Sequence, residues 1–187
     1  MIRSLLLCLV TLAWTPAATL AQTPDHSAEV REALARLPIK PGVWEGEAWH
    51  RSGPAEPDTA LQHELVQTRL DGLVLLIEGT GRAKETGEIV HHAFATIGWD
   101  PDREAYFMTA WLADGSVIEP SISFDDGVLV WGFQTPGGPR IRYRVTAPEP
   151  GVWREDGILE KFPPGGPKQV WKISLGAGYS GPAVLDI

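Results

Sequence analysis

The sequence predicts an all-β protein, a meander of about ten antiparallel strands curling into a barrel behind one short N-terminal helix. Three observations carry this. From Gly42 onward the apolar residues alternate with a period of two, as on a strand with one buried face. Turn chemistry interrupts the alternation at short intervals, at Asp71-Gly72, Asp114-Gly115, Asp125 to Gly127, Pro148 to Gly151 and Pro163 to Pro167 among others. The segments between are rich in β-branched and aromatic residues, which fit a pleated surface. A meander this long tends to curl and close, because closure removes both edges.

Residues 1–21 read as a cleaved signal peptide. Arg3 supplies the positive start, Leu5 to Trp14 the apolar stretch, and Thr19-Leu20-Ala21 the small residues at the cleavage position. The apolar stretch is shorter than the roughly 20 residues a membrane span needs. No second one follows, so no transmembrane segment is expected after cleavage near Ala21, and the address is a bacterial periplasm or the medium. Residues 22–187 then form a single barrel domain.

Ser27 can cap a helix over 28–37, whose Val30, Ala33, Leu34 and Leu37 recur at helical spacing. Glu29 near its start and Arg36 near its end suit the helix dipole, and Pro38 stops it. Strands are expected at 42–50, 60–70, 73–83, 88–99, 105–113, 116–124, 128–135, 140–147, 152–162 and 168–176. Asp71-Gly72 and Asp114-Gly115 are two-residue hairpin signals. The first pairs Arg69 with residue 74 and puts Glu78 opposite Leu65, with Arg69 and Glu78 outside and Val66, Leu75 and Ile77 inside. Counting through the second puts Phe107, Thr109, Trp111 and Ala113 on one face with Ser116, Ile118, Ile122 and Phe124. These are placed inside, as are Leu129, Trp131 and Phe133, then Ile141, Tyr143 and Val145, then Trp171, Ile173 and Leu175. Arg140, Arg142 and Arg144 point outward.

Composition excludes several functions. The formal charge is −8, and −9 without the leader, which holds Arg3 and no acid. Such a chain repels phosphate backbones, so no nucleic-acid partner is expected. The only cysteine, Cys8, lies in the leader, which leaves no disulfide, thiolate metal site or cysteine nucleophile after cleavage. Asn does not occur, which removes N-glycosylation and Asn-dependent triads.

Gly42-Val43-Trp44 opens the first strand just after the helix, and the run continues Glu45-Gly46-Glu47-Ala48-Trp49. This Gly-x-Trp entry resembles the first strand of the calycin, or lipocalin-like, barrels, and the fuller run resembles their nitrobindin-like branch. With Arg69-Leu70-Asp71-Gly72 and Gly98-Trp99-Asp100, the chain is most similar to exported bacterial proteins of that superfamily, over residues 28–176. The resemblance implies a calycin-like barrel that binds a small molecule. Nitrobindin-like proteins hold haem through a late-strand His, but no His follows His92, so no cofactor is expected. Fatty-acid-binding barrels use a late Arg-x-Tyr. Here Arg142-Tyr143-Arg144 puts Tyr143 and its neighbours on opposite faces, which does not build that carboxylate site.

His91-His92 is the most prominent chemical signal. On a strand the two rings point to opposite faces and cannot chelate one metal without a bulge. No HxH or HExxH pair occurs, and no metal site is expected. Asp100-Pro101-Asp102 and Asp125-Asp126-Gly127 lack the ligand set of a calcium loop. Gly79-Thr80-Gly81 is followed by no helix and reads as a bend or bulge in a strand. No catalytic triad emerges.

The expectation is an exported, non-catalytic barrel holding a small apolar or aromatic ligand. Trp44 would close the base; Phe107, Trp111, Trp131, Phe133, Tyr143 and Trp171 would line the wall; the Tyr143 hydroxyl and His92 would orient polar atoms of the ligand. Two alternatives stand beside it: an isomerase or lyase using His92 with a carboxylate in the same cavity, and an envelope interaction protein with a filled barrel.

Overall fold

The computed structural model describes residues 24–51, 56–135, 138–160 and 169–177. The expected leader, the turn at Pro163 to Pro167 and residues 178–187 lie outside them. Helix α1 (Ser27–Arg36) comes first. Then follow β1 (Gly42–His50), β2 (Asp58–Arg69), β3 (Val74–Ala83), β4 (Ile89–Asp100), β5 (Ala105–Leu112) and β6 (Val117–Ile118). β7 (Ser121–Asp125), β8 (Val128–Gln134), β9 (Arg140–Thr146), β10 (Val152–Leu159) and β11 (Gln169–Ala177) complete the elements of the described residues.

The eleven strands of the described residues form one antiparallel sheet in the order β6-β5-β4-β3-β2-β1-β11-β10-β9-β8-β7. The first and last strands pair, Trp44 opposite Ala177 through His50 opposite Trp171. The ends of the ladder therefore fall in the middle of the chain, at β6 and β7. The single strand expected over 116–124 is broken there by Glu119-Pro120. A proline has no N–H for the ladder and is tolerated where pairing stops. The sheet curls until β5 and β7 meet, but no ladder joins them among the described residues.

α1 covers one end of the curl. Leu34, with Leu37 and Ile39 just after the helix, is buried in one core with Trp44, Val66, Leu75, Ile97, Leu129, Val145, Trp153 and Leu175. Polar contacts fix the helix to the sheet. The Tyr106 hydroxyl donates to the Ala33 carbonyl at 2.7 Å, Trp99 Nε1 to Glu29 at 2.9 Å, and Arg31 Nε to the Asp71 carbonyl at 2.7 Å. Trp44 donates to the Lys40 carbonyl at 2.9 Å and meets Trp153 edge-on, centroids 6.0 Å apart.

The β2–β3 hairpin keeps the expected register, with Arg69 opposite Val74 and Leu65 opposite Glu78. The β5–β6 hairpin does not. Its loop holds three residues, 113–115, closed by Leu112 N–H to Ser116 O at 3.0 Å, with Gly115 at φ +84°. A two-residue loop would put Trp111 opposite Ile118; the extra residue puts Ala110 there. A slip of one residue exchanges the faces of a strand. Met108 and Ala110 are therefore buried, while Phe107 and Trp111 are 51% and 40% exposed. Phe107 lies over Gly98 on the outer surface, where a Cβ would come within 2.2 Å of its ring, and Trp111 pairs with Phe94 at 5.6 Å. The inward placement of Phe107 and Trp111 is thus corrected. Ile118, Ile122 and Phe124 do pack on the core.

Candidate functional site

Small side chains leave space above this core. Ala60 on β2, Gly79 on β3, Ala93 and Ala95 on β4, and Ala110 on β5 face inward together, and the curled sheet encloses a cavity of about 700 Å³. The cavity runs from Ile39 and Trp153 to a rim at residues 57–59 and 83–86. That volume is in the range of small-molecule sites.

One wall is aromatic. Trp131 on β8 faces its cross-strand neighbour Tyr143 on β9. Their rings stack with centroids 4.0 Å apart and planes 10° from parallel, and Phe133 continues the slab at 15° to each. Gly157 on β10 stands opposite both Tyr143 and Trp171. A Cβ there would sit 2.7 Å from Trp171 Cβ and 2.8 Å from the Tyr143 ring, so the absent side chain is what lets both rings lie across β10.

The rest of the wall is polar, with Gln62 and Glu64 on β2 and Glu155 on β10 between the aromatic strands, and it is made of residues that sequence reasoning did not single out. Gln62, Glu64 and Glu155 are 2%, 6% and 7% exposed, and all three line the cavity. Gln62 Nε2 donates to Glu64 Oε1 at 2.7 Å, while Gln62 Oε1 is buried with no hydrogen-bond partner among the described residues. Glu155 accepts from two indoles, Trp131 Nε1 on Oε2 at 3.1 Å and Trp171 Nε1 on Oε1 at 3.0 Å. Gly79 and Gly81 make room for the β2 pair: a Cβ on Gly79 would lie 2.6 Å from the Glu64 carboxyl, and one on Gly81 would lie 2.8 Å from Gln62 Oε1. Gly79-Thr80-Gly81 does end at a register shift, between Gly81 and Arg82, and it also clears space for an interior carboxyl.

Burial governs the electrostatics. Desolvation pushes Glu64 up to about 8, opposed by its bond from Gln62 and reinforced by the charge of Glu155. Desolvation likewise pushes Glu155 up to about 7, against the two indole donors. Burial and the charge of Glu155 raise the Tyr143 phenol above its ordinary value. Burial, with His92 and His50 nearby, lowers His91, which favours its neutral form.

Of the residues expected to hold a ligand, Trp131, Phe133, Tyr143 and Trp171 line the cavity. Trp44 is buried beside Trp153 at the helix end and is not in the lining. Phe107 and Trp111 are on the outer surface, for the reason of register given above. His92 is outside as well, with Nε2 3.1 Å from Glu78 Oε1 and both side chains about half exposed. β4 turns its other parity inward, so the inner histidine is His91, whose ring stands 5.6 Å from that of Trp171. The catalytic alternative thereby loses its named base. Gln62 and Glu64 were reachable from sequence: they share the parity of Val66, the β2 residue already placed inside.

The fold and cavity define a class, an all-β protein with one helix among the described residues, whose curled antiparallel sheet encloses a small-molecule-sized cavity. No family model matches the chain, and no curated protein does. Among solved structures it is similar to Rv2717c from M. tuberculosis, with a TM-score of 0.56 and 12% sequence identity over 79% of this chain and 96% of that one. At that identity the likeness concerns the fold alone. No helix among the described residues is long and apolar enough to cross a membrane.

Proposed function

We propose that this protein is an exported, calycin-like binding protein that holds a small apolar or aromatic ligand inside its curled sheet. The observation that carries this reading is the cavity of about 700 Å³ walled by the stacked Trp131, Tyr143 and Phe133 rings. A sheet kept only for stability would fill that space, since interiors pack as densely as organic crystals. Aromatic rings around an open volume offer contact area at little entropic cost. Export rests on the leader pattern in residues 1–21, and the calycin assignment on the Gly42-Val43-Trp44 entry.

The test is titration with phenylnaphthylamine, an uncharged dye that brightens in apolar surroundings. The dye is expected to bind with one-to-one stoichiometry and to quench tryptophan emission. Ala93→Trp places a ring on the β4 wall opposite Gly79 and is expected to abolish binding. Trp111→Ala, on the outer surface, is expected to leave it unchanged. Absence of binding to the wild-type protein, or binding indifferent to Ala93→Trp, refutes the reading.

A further inference from the structure

The polar wall is unbalanced. Its acceptors are both carboxylate oxygens of Glu64, both of Glu155, and the unpaired Gln62 Oε1. Its donors next to those carboxyls are Gln62 Nε2 and two indole N–H groups, each engaged with one of them, while the Tyr143 hydroxyl and the Trp153 Nε1, which has no partner among the described residues, also belong to the lining. No arginine lines the cavity among the described residues. The one lining lysine, Lys84, sits at the rim with its Nζ on Glu47 Oε1 at 2.6 Å. Buried carboxyls are ordinarily paired with a cation. Here the cavity has acidic groups, an orphaned acceptor and no internal cation.

We infer that the ligand is an apolar or aromatic amine bound as its ammonium ion, with the N–H groups donated to Glu64, Gln62 Oε1 and Glu155 and the apolar body against the Trp131–Tyr143 slab. This rests on the cavity's being a binding site and narrows the class of ligand it takes. An ammonium supplies three donors together with the positive charge that the wall lacks. The indole and phenol faces that flank Glu155 add the attraction of a π-surface for a cation. Carboxylate ligands such as fatty acids meet two acids and are repelled.

Ionisation of the wall sets the pH response. The groups facing Glu64 and Glu155 in the cavity are each other, Gln62, the Tyr143 phenol and His91, with His50, Asp58, Lys84 and Glu85 toward the rim. His91 and Tyr143 favour their neutral forms and supply no competing cation. Ammonium binding is expected to strengthen as the pH rises from about 6 to about 8.5, while the carboxyls ionise and an alkylamine stays protonated.

The experiment displaces bound phenylnaphthylamine with three compounds of one shape: naphthylethylamine, naphthylethanol and naphthylacetic acid. At about pH 8 the amine is expected to bind about tenfold more tightly than the alcohol, and the acid most weakly. Glu64→Gln, near-isosteric and still able to accept from Gln62, is expected to erase the amine's advantage over the alcohol, and Glu155→Gln to reduce it. An alcohol or acid that equals the amine overturns the inference while the binding function stands, as does an amine preference that survives Glu64→Gln. Should either variant fail to fold, the wild-type series decides: an amine-to-alcohol ratio that does not rise with pH also overturns it. If the dye itself does not bind, both readings fall.

Discussion

The ligand-free protein is expected to lose stability as the pH rises from about 6.5 to about 8, the range in which its buried carboxyls ionise with His91 already neutral. Glu64 and Glu155 are responsible. In the unfolded chain both ionise near the ordinary glutamate value of 4.5, whereas in the folded protein they hold their protons up to about 8 and about 7. Between those limits the native state binds more protons than the unfolded state, and stability falls with pH. The full contribution of Glu64 is present below its unfolded value and is gone once the pH passes its folded value. His91 acts in the opposite sense. Its lowered value means that the folded state sheds its proton first, so its contribution is present above 6.5 and lost on acidification. The descent above pH 6.5 therefore belongs to the carboxyls, and Glu64 alone accounts for about 2 kcal/mol of it. Urea midpoints measured across this range would fall for the wild type and flatten for Glu64→Gln. A wild-type midpoint that holds or climbs from pH 6.5 to 8.5 would show that Glu64 is not buried as described.

Trp131→Ala is expected to cost about 3–4 kcal/mol at neutral pH, against about 1 kcal/mol or less for Trp111→Ala. The two residues are of one type and both stand on strands of the same sheet. They differ in what surrounds them. Trp131 stacks on Tyr143 and donates to the buried carboxyl of Glu155. Its removal leaves a gap in the slab and deprives an interior acid of one of its two indole donors, which costs more than the lost contact. Trp111 is 40% exposed and touches Phe94 on the outer surface. Trp131→Phe separates the two parts: the stack is kept and the donor removed, for about 1–2 kcal/mol and a further rise of Glu155. Chemical denaturation of the three variants measures these differences. Equal costs for Trp131→Ala and Trp111→Ala would contradict the assigned faces.

How much of the site was legible follows from how local each signal was. Trp131, Phe133, Tyr143 and Trp171 sit on strands whose parity is unambiguous, and alternation alone puts them inside. Phe107 and Trp111 face outward because the β5–β6 loop holds three residues, and that length is not written in Asp114-Gly115. His91 and His92 are equivalent to any local rule, and only the neighbours of β4 distinguish them. The three buried polar residues are the hardest case. Glutamate and glutamine on a strand read as its wet face unless the parity of an apolar neighbour overrides their chemistry. Val66 provides that override for Gln62 and Glu64, and Trp153 provides it for Glu155, two residues on.

By itself the sequence determined the helix, the strand boundaries to within a few residues and the all-β meander. These depend on period-two alternation, on turn residues and on a proline stop, all of which act over a few positions of the chain. Tertiary structure alone decided that β1 joins β11, that the ladder ends at β6 and β7, and that the interior holds a carboxyl bracketed by two indoles. Each of those outcomes needs partners far apart in the chain: an indole from β8, another from β11, and glycines on β3 and β10 that leave space for their neighbours' side chains. Distance along the chain is the physical reason, since a residue's alternation tells which way it faces but not what it will meet.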